Sequence, residues 1–183
     1  MDGVEEWIED EFMERCSHAL VAETGTWLID PVDNSRIDEL EGVAGVIQLL
    51  GRHNRDCARI ARRLGVRHHV LPDAPIPPFR FMRVGRNEVA LWWPERRVLA
   101  CGDALGTARY YRAGDERLAV HPLLRLRPPR FDVEPAVILC GHGPGVVDAA
   151  DSALREALST SRRRIPGQVA AAVRAWRSRP SSR

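Results

Sequence analysis

The sequence contains no lysine: all 27 of its basic residues are arginine, set against 25 acidic ones. So complete a bias follows genomic base composition more readily than the needs of a nucleic-acid surface. The charge is also unevenly placed. Residues 162–183 hold seven arginines and no acid, so with a net charge of +2 overall, residues 1–161 stand at −5. An acidic body argues against RNA or DNA as a partner and leaves the arginine tail as the one source of phosphate contacts. No uncharged apolar run approaches the ~20 residues of a membrane span. The opening stretch MDGVEEWIEDEFMER is acidic where a signal or transit peptide would be basic, so cytoplasmic residence is the expectation. CxxC spacing is missing as well. Cys16, Cys57, Cys101 and Cys140 stand apart, and the flanks VLAC and VILC read as strand ends, which predicts buried thiols rather than disulfides.

What is present is enough for one core. At 183 residues, 44% of them hydrophobic, the chain suits a single domain of roughly 150 residues. The expected division is a folded domain over 1–161 and an Arg-rich tail or short helix over 162–183. HALVAETGTWLIDPVD reads as a hairpin, two β-branched apolar runs around Glu23-Thr24-Gly25, ending at Asp30 and stopped by Pro31. The run VAGVIQLL is short enough for a buried strand, and GRHN after it is a turn bearing His53. In RDCARIARRLG, Cys57, Ile60, Ala61 and Leu64 fall at helical spacing with Gly65 as a stop. VRHHVLP reads as a short strand and PDAPIPP as a loop.

The same plan then returns. NEVALWW and RRVLACGDAL form a second hairpin that ends at Asp103, with the adjacent Trp92 and Trp93 necessarily on opposite faces. After an Arg- and Pro-rich connection come the apolar run AVILC, the loop GHGPG with His142, and VVDAADSALREAL with a helical stripe at Val147, Ala150, Leu154 and Leu158. Each half thus puts an Asp at the end of a hairpin strand and a His after a strand that feeds a helix, which suggests an internal duplication. Open α/β sheets place ligands in loops beyond strand ends, so Asp30, His53, Asp103 and His142 are expected to converge. Such oxygen and nitrogen ligands suit zinc, iron or manganese.

In this order the landmarks LIDP, the strand–His turn–helix unit, RVLACGDAL and VILCGHGPG resemble the metallo-β-lactamase superfamily over roughly residues 19–158. The resemblance implies an α/β (α+β) fold, a four-layer αββα sandwich of two mixed sheets flanked by helices, with metal bound at one edge and hydrolysis as the reaction. Active relatives carry HxHxDH after the first of these strands; here the segment is GRHNRDC. Centring the motif on His53 puts Gly51, Arg55 and Asp56 at its other positions. Sliding by one residue keeps Asp56 as the motif Asp, with Cys57 last and Arg52 and Asn54 leading. A further His before the second hairpin is missing, as FRFMRVGRNEVA shows. Asp103 and His142 keep their types.

The expected site is therefore degenerate. It holds at most one zinc, iron or manganese ion, or none, drawn from His53, Asp56, Asp103 and His142. Asp56 or Asp103 takes the proton in hydrolysis of an ester, thioester, amide or phosphodiester. The opposing expectation is a non-catalytic protein whose permanently charged Arg52 and Arg55, with Gly141 and Gly143 of the GHGPG turn, hold an anionic ligand or a partner. Plainer readings stay open: Asp30 as a turn former, His53 and Asp56 as a helix-start turn, Asp103 as a strand cap, His142 as a sharp-turn residue. His18, His68, His69 and His121 read as core or surface. A small-molecule substrate or anionic ligand is the expected partner, with no membrane and a homodimer left open. The C-terminal IPGQVAAAVRAWRSRP is open to a short helix with Val169, Val173 and Trp176 on one side or to a loose tail.

Overall fold

The computed structural model describes residues 2–52 and 55–170. The first sheet has the spatial order β1 (Val4–Ile8), β2 (Cys16–Ala22), β3 (Gly25–Ile29), β4 (Val43–Gln48) and β5 (Arg67–Val70). Pairing is antiparallel from β1 to β3 and parallel from β3 to β5. Between β4 and β5 the chain forms α1 (Cys57–Leu64), closed by Gly65 in the left-handed conformation, φ 67°, where its N–H reaches the carbonyls of Ala61 and Arg62.

The second sheet contains β6 (Arg80–Gly85), β7 (Glu88–Trp93) and β8 (Val98–Cys101). The long connection then forms a small ribbon of β9 (Leu105–Gly106) and β10 (Ala119–Val120) before β11 (Val137–Cys140) pairs parallel to β8 and α2 (Ala150–Thr160) follows. The spatial order is β11-β8-β7-β6. Both halves share one connectivity: an antiparallel hairpin, then a strand parallel to the hairpin's second strand, then a helix. That is the duplicated plan read from the sequence.

Alternation along the strands assigns each face. Ala19, Leu28 and Val46 meet Cys57, Ile60 and Ala61 of α1. Their neighbours Leu20, Trp27, Ile29 and Ile47 face Val89, Leu91, Trp93, Val98, Ala100 and Leu139 of the other sheet. Ala90, Leu99, Cys101, Ile138 and Cys140 on the far side meet Ala150, Ala153, Leu154 and Ala157 of α2. Three apolar interfaces make four layers, α/β/β/α, as expected. Trp93 fills the space between the sheets while Trp92 is turned toward α2. All four cysteines are free and buried. Among the described residues no helix is long and apolar enough to cross a membrane.

Two details differ from the sequence reading. The helical stripe does not include Val147, which is exposed, because Val146 exchanges both backbone hydrogen bonds with Ile138 and keeps the chain extended; Ala149, at φ 47°, turns it before α2 begins. The N-terminal stretch, acidic and without a clear period, forms edge strand β1 with Trp7 buried over α1. Residues 165–170 are helical with Val169 exposed, while Val173 and Trp176 lie outside the described residues.

Candidate functional site

Because β3 and β4 are parallel, as are β8 and β11, the carboxyl ends of each pair open at one edge. The two halves interlock there. A methyl group on Gly141 would sit 2.2 Å from the Gly102 carbonyl oxygen, and one on Gly102 would sit 3.2 Å from Leu50 Cβ. Gly143, at φ 80°, is equally committed, since its Cβ would fall 2.2 Å from the Ala108 nitrogen. The GHG sequence is thus required by close backbone approach. Gly141→Ala is expected to cost more than 3 kcal/mol, about the upper end of single substitutions, checked by urea unfolding; a loss below about 1 kcal/mol would contradict this packing.

Asp103 and His142 meet at this edge. Asp103 Oδ1 lies 3.1 Å from His142 Nε2, and both side chains are almost fully buried. The other carboxylate oxygen, Oδ2, accepts from Arg52 Nη2 at 3.1 Å. The Asp103 and Ala104 amides both donate to Glu88 Oε1, at 2.9 and 2.8 Å, and the Asp103 carbonyl accepts the Tyr111 hydroxyl at 2.9 Å. His142 Nδ1 donates to the Met13 carbonyl at 2.7 Å, which fixes the proton on that nitrogen and aims Nε2 at Asp103. Its ring stacks on Tyr111 and meets Tyr110 edge-on. Tyr110 in turn stacks on the exposed Phe12.

Asp30 lies at the same edge with φ 44°, buried, its Oδ1 accepting the Leu49 amide at 3.0 Å. Burial pushes its carboxyl up to about 6 against the pull of Arg55 and the Leu49 amide. Burial likewise pushes Glu88 up to about 7, with Asp103 and Asp30 adding to the shift.

The other expected residues are placed differently. Asp56 stands at the start of α1 and spends its carboxylate on the Asp33 amide and Arg59, at 2.9 and 2.8 Å. Burial raises its pKa, but these partners outweigh that and hold it below the usual value. His53 lies outside the described residues. Gly141 N–H donates to Cys101 and Gly143 N–H to Glu14, so neither amide is available to an anion and the anion-binding expectation loses those two donors. His18 pairs with Glu6 and His68 with Gln48. His121, half-buried, packs edge-on against Tyr111, within electrostatic range of Asp103. Glu88, Tyr110, Tyr111 and Met13 are not among the residues that the sequence singles out. Glu88 carries one signal, a lone acid opening an apolar strand.

The donor chemistry sets what the site can hold. Two ligands about 2.0–2.2 Å from one tetrahedral ion stand about 3.3–3.6 Å apart, slightly more than the 3.1 Å between Asp103 Oδ1 and His142 Nε2. A histidine whose other nitrogen donates to a backbone carbonyl is oriented as metal ligands are. The pair supplies two of the three or four protein donors that a zinc site uses. Among the described residues no group of three or more His, Cys, Asp or Glu side chains is able to hold a metal. The Arg55 guanidinium lies between strand ends of both halves, donating to the carbonyls of Cys16, Asp30 and Gly141, and its charge opposes a cation beside it.

Solved structures repeat this architecture. A metallo-β-lactamase from Pontibacter korlensis aligns over 87% of this chain and 96% of its own, at 14% identity and a TM-score of 0.53. The chain has the metallo-β-lactamase fold. A metallo-β-lactamase from Erythrobacter litoralis covers 89% of this chain and 90% of its own, at 13% identity and a TM-score of 0.56. A protein solved in a di-iron-bound form covers 81% and 96%, at 14% identity and a TM-score of 0.52. No protein-family model and no curated protein matches the sequence. At such identities the likeness is one of fold, and the fold hosts many chemistries.

Proposed function

We propose that the protein is a hydrolase-like protein of the metallo-β-lactamase fold whose site holds at most one metal ion, at Asp103 and His142. The observation that carries this reading is the 3.1 Å approach of Asp103 Oδ1 to a His142 Nε2 whose ring is fixed through Nδ1 and the Met13 carbonyl. His53 is the candidate third donor, on sequence grounds. When bound, zinc, iron or manganese supplies Lewis-acid polarisation of a carbonyl or phosphoryl group and a water acidified toward neutrality.

The chain's own residues divide the remaining work. Asp103 Oδ2, which accepts from Arg52, is the oxygen assigned to take a proton, because Asp103 lies beside His142 whereas Asp56 stands at the start of α1 with its carboxylate bound to the Asp33 amide and Arg59. The Arg52 side chain is 56% exposed, so its ion pair with Asp103 is worth about 1 kcal/mol or less. It is free to turn toward an anionic group on an ester, thioester, amide or phosphodiester substrate. Phe12 and Tyr110 form an aromatic wall beside His142.

The test is elemental analysis by inductively coupled plasma mass spectrometry on protein purified without chelator or His-tag, repeated on an Asp103→Ala, His142→Ala double variant. About one equivalent of metal, absent from the variant, is the expected result. Protein that stays metal-free after incubation with excess zinc, iron or manganese overturns the reading.

A further inference from the structure

Three backbone carbonyls from three separate strand ends point at one cationic side chain. Arg55 Nη1 donates to the carbonyls of Cys16, where β2 begins, and of Asp30, where β3 ends, the latter at 2.9 Å; Nη2 donates to Gly141, where β11 ends, at 2.7 Å. The Gly141 carbonyl also accepts the Cys16 amide. Arg55 Nε is buried without a hydrogen-bond partner among the described residues, so the group is held entirely by its two terminal nitrogens. Asp30 lies within electrostatic range of it.

We propose that Arg55 is the resident cation of the site: a positioning residue whose guanidinium locks together the strand ends carrying Cys16, Asp30 and the Gly141–His142 turn, as a bound cation would. Converging carbonyl oxygens are a cation's environment. Only arginine offers a charge that is never lost and a planar fork able to donate in two directions at once. Arg55 comes from the β4–α1 loop of the first half, whereas Gly141 belongs to the second, so the contact ties one half's loop to the other half's histidine. Removing it leaves three carbonyls at a junction already closed by glycines. None of these contacts requires a bound metal.

The experiment uses chelator-treated full-length protein, so its outcome is independent of the one-metal reading. Arg55→Ala is expected to lower Tm by about 5–10 °C, less than the full worth of three charge-assisted bonds in a chain of this size because the Gly141 carbonyl keeps the Cys16 amide and water reaches the vacated space. Guanidinium chloride at about 20 mM, well below denaturing concentrations, should restore at least half of the loss by occupying the vacated site. Urea at the same concentration should restore nothing, and the unsubstituted protein should respond to neither. Arg55→Lys, which keeps the charge but not the fork, should fold with a lowered Tm and show no rescue. If Arg55→Ala does not fold unaided, it is refolded with and without the cation: recovery only with guanidinium supports the proposal, and failure in both overturns it. An unchanged Tm in Arg55→Ala, a loss that guanidinium restores no better than urea, or Arg55→Lys as stable as the parent likewise overturns it.

Discussion

Arg125→Ala is expected to destabilise the protein by about 3–5 kcal/mol, the usual cost of leaving one member of a buried ion pair without its partner. In a chain of this size that is a fall in Tm of roughly 10–15 °C. The Arg125 side chain is fully buried and that of Glu116 3% exposed. Nη1 and Nη2 bind the two Glu116 oxygens at 2.9 and 2.7 Å, and Nη2 also donates to the Tyr111 carbonyl at 2.7 Å. Glu116 Oε2 accepts the Ala113 amide as well. The pair thus fixes the connection between β9 and α2, and with it Tyr111, whose hydroxyl holds Asp103 and whose ring backs His142. Glu116→Ala should cost a similar amount. The double variant Glu116→Leu, Arg125→Met should recover most of either loss, since well-packed apolar replacements for buried ion pairs are often neutral. Urea unfolding of the three variants decides it: single-variant losses under about 1 kcal/mol would mean that water reaches the pair, and a double variant as weak as the singles would mean that the Tyr111 carbonyl, not the ion pair, is the costly loss.

Neither member of that pair is marked in the sequence, and the contrast with the elements that are marked has a physical cause. The hairpins β2–β3 and β7–β8, the strands β4 and β11 and helix α1 are legible because their signals are local: a run of fixed period bounded by Gly, Pro or Asp. Asp103 and His142 are legible because each closes such a run, and their approach follows once β11 pairs parallel to β8. Edge strands β1 and β6 are not, since VEEWI and RFMRVG mix charge with apolar residues and take their order from the neighbouring strand. Glu88 and Tyr111 act on backbone atoms of Asp103 fifteen and eight residues away in sequence, and no spacing rule encodes a backbone acceptor. Arg55 is visible as an intrusion into a metal motif; what it does there depends on three carbonyls, which every residue possesses and no sequence distinguishes. The β4–α1 loop therefore reads as a damaged motif in sequence and as a bonded junction in three dimensions.

Asp30→Asn should stabilise the protein by about 2–3 kcal/mol at pH 8, an unusual sign for a substitution at a buried polar site. Burial pushes the Asp30 carboxyl from its ordinary 3.8 up to about 6, more than Arg55, the Leu49 amide and His18 pull it down, and Asp103 adds to the rise. A carboxyl whose folded pKa is raised binds its proton more tightly in the folded state than in the unfolded one. Its contribution to stability is therefore greatest below about pH 4, falls as pH rises toward 6, and stays at its lowest above that. A rise from 3.8 to about 6 corresponds to about 3 kcal/mol between the two ends of that range. Asparagine keeps the Oδ1 acceptor that the Leu49 amide uses and carries no charge to bury, so its advantage should be full at pH 8 and vanish near pH 4. Thermal unfolding of both proteins across that range reads the effect directly. A loss of stability at pH 8 instead would mean that the Asp30 charge is worth more to Arg55 than its burial costs, making the carboxylate a working half of the cationic junction and not a penalty the fold carries for the sake of its site.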